Sequence, residues 1–81
     1  MDKHSKCTIH WVDISAPGQY WAGEEEAAIV KVVSSGYFIH KSEIEITIAQ
    51  TISQEIDRPD GHTYGGLLSI PHGVVEKIEV G

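Results

Sequence analysis

Residues Tyr64 to Val80 read YGGLLSIPHGVVEKIEV. This stretch predicts a strand, a one-turn break and a second strand. Gly65-Gly66 admits unusual backbone angles or close backbone approach. Leu67, Leu68 and Ile70 follow as a short apolar run. Pro71 lacks an amide proton, which suits a strand end or an edge. Ser69 to Val74 then forms a tight turn closed by Gly73. Beyond it, Val74, Glu76, Ile78 and Val80 line one face of a last strand, with Val75, Lys77 and Glu79 on the other. A strand, a turn of 3₁₀ type and a closing strand is how small five-stranded barrels often end.

Working outward, Glu43 to Ser53 is the cleanest strand pattern in the chain. Ile44, Ile46, Ile48 and Ile52 point one way, and Glu43, Glu45, Thr47, Ala49 and Thr51 the other. Between it and the closing unit, Arg58-Pro59-Asp60-Gly61 is a turn signal inside a loop over 54–62. Upstream, 27–40 reads as a long strand bent at Ser34-Ser35-Gly36, a common corner device in small barrels. Ile29, Val30, Val32 and Val33 make its first half apolar on both faces. Lys41-Ser42 connects it to the isoleucine strand. Cys7 to Asp13 reads as a first strand, and residues 1–6 as a frayed end. Residues 14–26 are irregular, with turn signals at Ser15-Ala16-Pro17-Gly18 and at Gly23. Glu24 to Ala28 suits one helical turn.

The expected fold is therefore all-β: a small five-stranded, strongly bent antiparallel barrel, Src-homology-3-like or Sm-like. It forms one domain over 1–81, with 1–6 flexible. The predicted core is Ile44, Ile46, Ile48, Leu68, Ile70 and Ile78. The chain has 81 residues; a fold this small buries only about 60–65% of its unfolded surface, so a lone core is marginal. One cysteine excludes an internal disulfide and fits a reducing compartment. No apolar run follows the charges of MDKHSKC, and no stretch reaches the ~18 apolar residues of a membrane span. A net charge of −6 argues against duplex nucleic acid as partner.

The tryptophan strand, the Val-Val-Ser-Ser-Gly-Tyr-Phe-Ile bend, the isoleucine strand and Gly-Gly-Leu-Leu-Ser-Ile-Pro-His-Gly-Val-Val-Glu-Lys-Ile together resemble a group of small phage-encoded proteins of unknown function. The resemblance spans Ile9 to Val80 and rests on structural motifs. It implies a small barrel, a phage source and hence the cytoplasm of a bacterial host. It supplies no catalytic residue.

The chemistry-bearing residues are sparse. There are five histidines, but His4, Cys7 and His10 are spaced by three, which on a strand points them to opposite sides. His62 and His72 flank the final strand pair and could meet in space. No paired-Cys or HExxH pattern appears, so neither a metal nor another cofactor is expected. No Gly-x-Ser-x-Gly elbow is present, and Asp57 and Asp60 suit turn positions better than acid–base work beside His62. Cys7 reads as a small core residue. An enzyme is not expected.

One set stands out: Tyr20, Trp21, Arg58, His62, Tyr64, Gly65 and Gly66, all carried on two loops. Arg58 is the only arginine, and a guanidinium beside aromatic faces suits an anion attached to a planar ring. The expectation is a non-catalytic small-ligand binder that sequesters a nucleotide-type immune signal at pockets between subunits of a homo-oligomer. Trp21 and Tyr64 serve equally well as caps on the core. The alternatives are a protein-interaction module that inhibits a host protein, for which the acidic balance suits a basic groove, and a structural oligomeric accessory protein.

Overall fold

The isoleucine row becomes the central wall of the fold. In the computed structural model, which describes residues 1–13, 29–58 and 61–81, five strands form one antiparallel sheet. They are β1 (Lys6–Asp13), β2 (Val30–Lys41), β3 (Glu45–Gln54), β4 (His62–Pro71) and β5 (Val75–Val80), with a 3₁₀ turn over His72–Val74 between the last two. The spatial order is β4-β3-β2-β1-β5. The expected all-β class and the closing strand–turn–strand unit are present. The sheet is not closed as a barrel would be: β4 and β5 stand at its two edges. Tyr20, Trp21, the turn signals on either side of them and the Glu24–Ala28 helical turn lie outside the described residues.

Ile46 faces Ile70 and Ile48 faces Leu68 across the β3–β4 ladder, while Ile9 of β1 faces Ile78 of β5. Cys7, Ile9, Ile46, Ile48 and Ile70 form a single buried cluster, with Trp11, Phe38, Val74 and Val75 packed against it. β1 and β3 are not neighbours in the sheet, since β2 lies between them. Their side chains share one core because the sheet bends over onto itself.

The bend is visible in how β2 divides its pairing. Residues Val30 to Tyr37 pair with β1, and Tyr37, Phe38, His40 and Lys41 pair with β3. Gly36 sits at the crossover, where an added Cβ would lie 2.6 Å from the Ala49 carbonyl oxygen. Only a residue without a side chain permits that approach. The predicted corner at Ser34-Ser35-Gly36 is thus a place where two strands pass in contact.

The predicted core needs three corrections. Ile44 is 76% exposed. It precedes β3, in a turn where the Ser42 hydroxyl accepts from the amides of Ile44 and Glu45, so it lies before the pleat that aims Ile46 and Ile48 inward. Leu68 and Ile78 are 36% and 37% exposed, because each belongs to an edge strand with no neighbour on its outer side. Cys7, read as a small core residue, is at the centre, and Ile9, whose face the strand pattern left open, lies beside it.

The face assignment of the last strand also changes. The β1–β5 register shifts between His10 and Trp11, so that His10 faces Lys77 while Trp11 faces Val75. Glu76 is the extra residue of a bulge. The slip brings Val75, not Glu76, onto the core side beside Ile78 and Val80, and leaves Glu76 exposed. Residues 1–6, expected to fray, are bonded in part. Lys6 opens β1, the His4 amide donates to the Phe38 carbonyl at 2.6 Å, and the Phe38 amide donates to Ser5 at 2.8 Å.

Candidate functional site

Three of the five described candidate residues gather at one end of the β3–β4 hairpin. The loop there closes on itself: the Glu55 amide donates to Gly61 at 3.0 Å, and the Gly61 amide to Arg58 at 2.7 Å. Arg58 donates through Nε to Glu55 Oε2 at 2.7 Å, with its side chain 72% exposed. That bond raises the guanidinium pKa further, so its charge is permanent. His62 begins β4, and Tyr64 follows two residues on, opposite Ile52.

The sequence pattern left one participant out. His4 reaches this hairpin from the N-terminal segment, its Nε2 lying 2.9 Å from the Tyr64 hydroxyl. Its ring makes edge contacts with His62 and Tyr64, at centroid distances of 5.0 and 5.6 Å. The contact joins residues 60 positions apart, and no local spacing announces it.

Gly65 and Gly66 lie next along β4 and differ in role. A Cβ at Gly65 would meet Thr51 at 3.5 Å, an ordinary contact. Gly66 has a φ of +65°, and a Cβ there would lie 2.6 Å from the Gln50 side chain. The close approach that Gly66 permits is used by Gln50. This pair lines one margin of a cleft of about 220 Å³ between the diverging β1–β2 and β3–β4 hairpins, with Val33, Ser34 and Leu68 around it. Two further clefts occur on the β1 side. One of about 310 Å³ is lined by Lys6, Cys7, Gly36 and Tyr37. The other, of about 350 Å³, is lined by His10, Lys31, Val33, Glu76 and Lys77.

The histidines do not converge on a metal. His62 and His72 sit at opposite ends of ten-residue β4, about 30 Å apart at a strand's rise, and so cannot meet. His72 instead contacts the Ser42 carbonyl through Nε2 at 2.8 Å. His10 pairs with Glu79, and Cys7 is in the core. Among the described residues, no group of three or more His, Cys, Asp or Glu is placed to hold a metal ion. The hydrogen bond with His10, helped by Lys77, holds the Glu79 carboxyl below its ordinary range.

Burial pushes the Cys7 thiol above its ordinary pKa, and the side chain is only 2% exposed. A thiolate is the reactive form, so Cys7 is expected to resist modification in the folded chain. A chromogenic disulfide reagent checks this: the folded protein should react slowly and the denatured one promptly. Fast labelling under native conditions would contradict the burial.

No helix among the described residues is long and apolar enough to cross a membrane. Comparison with family models, with curated proteins and with solved structures finds no match to this chain.

Proposed function

We propose that the protein is a non-catalytic, self-associating interaction module whose docking edge is β4. The observation that carries this is the character of that strand. β4 is ten residues long, HTYGGLLSIP, and stands at the sheet edge without one Asp, Glu, Lys or Arg. Edge strands are ordinarily shortened or charged, because their free amides and carbonyls template pairing with another chain. The opposite edge, β5, follows that rule: it has six residues and carries Glu76, Lys77 and Glu79. β4 does not, and it presents Leu67 58% exposed.

A second copy is the partner that suits this edge. Two acidic chains of net charge −6 repel, and an uncharged strand is where they approach at least electrostatic cost. Antiparallel pairing of β4 with its own copy about a two-fold axis is self-complementary. Val33, at 61% exposed, and Val30, at 48%, add apolar surface on β2. Light scattering on a sizing column is expected to give an integral multiple of 8.9 kDa at micromolar concentration. Leu67→Lys is expected to restore the monomer with its β-sheet circular dichroism unchanged. A wild-type monomer at all concentrations sinks the proposal.

A second function, binding of a nucleotide-type anion, is favoured by one arrangement: Arg58, His62 and Tyr64 share one hairpin end, with the Arg58 side chain reaching solvent. A charge-assisted bond from Arg58 contributes about 1.5–3 kcal/mol. Isothermal titration of nucleotides into wild type and Arg58→Ala tests it; no heat with wild type removes it. The second function suits a phage-encoded protein that occupies a host molecule without turning it over.

A further inference from the structure

The geometry points to a proton-operated clasp: His4, set between Tyr64 and His62, fastens the N-terminal segment to the β3–β4 hairpin and releases it when it takes up a proton. The fastening is built from several contacts. The His4 amide and the Ser5 carbonyl form a reciprocal pair of hydrogen bonds with Phe38, at 2.6 and 2.8 Å. The Ser5 amide donates to the Asp2 carbonyl at 3.0 Å, folding the segment into a turn. The imidazole then spans to the Tyr64 hydroxyl, 2.9 Å away, and rests edge-on to the rings of both Tyr64 and His62. His4 holds a φ of +71°, a left-handed conformation that a residue with a Cβ adopts at a cost. The ring contacts offset that cost, and losing them lets the backbone relax.

A proton on His4 opposes the closed arrangement. The hydrogen bond with Tyr64 survives protonation, since the phenol oxygen accepts as readily as its hydrogen is donated. The opposition comes from the surroundings. Burial disfavours the imidazolium, and the charges acting on it, His62 and Lys3, are both basic. The remaining neighbours are Asp2, which offers its carbonyl to Ser5, the phenol of Tyr64 and, on β2, Phe38, with His40 and Lys41 following it. These factors lower the His4 pKa from 6.5. The folded pKa lies below the free one, so the released segment binds the proton more tightly. The closed clasp is therefore favoured above pH 6.5 and weakens as pH falls through the lowered value.

Proton NMR of the full chain between pH 8 and pH 4.5 tests this at two places. The His4 ring resonances are expected to titrate with a midpoint below 6.5, and the His4–Tyr64 ring cross-peaks are expected to vanish in the same step. Cross-peaks between Ile46 and Ile70 should persist through it. In His62→Gln the His4 midpoint is expected to move up toward 6.5. Ring contacts that survive His4 titration overturn the clasp. So does a midpoint unmoved by His62→Gln, or simultaneous loss of the core cross-peaks.

Discussion

Ile46→Asp is expected to unfold the protein, while Ile44→Asp, two residues away, is expected to leave it intact. The side chains are 0% and 76% exposed respectively. Losing the packed isoleucine costs about 2–5 kcal/mol. Placing an unpaired carboxylate in the same cluster of Cys7, Ile9, Ile48 and Ile70 adds a desolvation cost of several kcal/mol. A chain of this size has a total stability of roughly 4–12 kcal/mol. The first substitution therefore meets or exceeds what holds the fold together, and the second falls within the roughly ±0.5 kcal/mol of ordinary surface changes. Far-ultraviolet circular dichroism and a urea titration of both variants decide it. A cooperative, wild-type-like transition in Ile46→Asp would show that this position is not in the core.

The second large effect is at the strand crossing. Gly36→Ala is expected to cost about 1–3 kcal/mol, the range for forcing atoms into packed space. The obstacle is the Ala49 carbonyl oxygen, 2.6 Å from the new methyl carbon. That oxygen belongs to the backbone of β3, whose Ala49 is 0% exposed, so no flexible side chain can swing aside. At about 4–8 °C per kcal/mol for a domain of this length, the melting temperature should fall by roughly 4–24 °C. Gly73→Ala is the control, since a Cβ there meets nothing within 4 Å. Equal melting temperatures for the two variants would mean that β2 and β3 do not cross so closely.

These two positions also mark what the sequence makes legible. Ile46, Ile48 and Ile70 obey a period of two in segments of clear strand composition, and the Ile-Pro-His-Gly turn carries its own backbone restrictions. Such signals are local, and the five-strand all-β fold follows from them. Gly36 was legible as a bend, though not as a crossing, because its partner is thirteen residues away on another strand. The bulge at Glu76 slips a register that depends on where Trp11 lies, so periodicity alone misassigns Val75 and Glu76, while Val74 does pack on the core side. Ile44 continues the isoleucine pattern past the end of its strand, where the Ser42 turn has already redirected the chain. Sheet closure depends on whether β4 and β5 meet, which no property of either segment determines.

The candidate site was legible in part. Arg58, His62 and Tyr64 fall together because one hairpin carries all three. The paired role of Tyr64 with His4 arises only from the tertiary fold, and a residue read as part of a frayed end has no pattern to flag it. Gly66 was singled out for backbone freedom, which its φ of +65° bears out, but the side chain lying over it is that of Gln50.

The last strand lies against the first: Cys7 faces Val80, and the Gly81 amide donates to the Lys6 carbonyl at 2.9 Å. During synthesis β1 emerges early and must wait for its second neighbour until residues 75–80 have left the ribosome. The run from β1 to β4 is complete before then, with Ile9 lacking the wall that Ile78 supplies. A nascent chain stalled before residue 75 would therefore present an exposed half-core to chaperones.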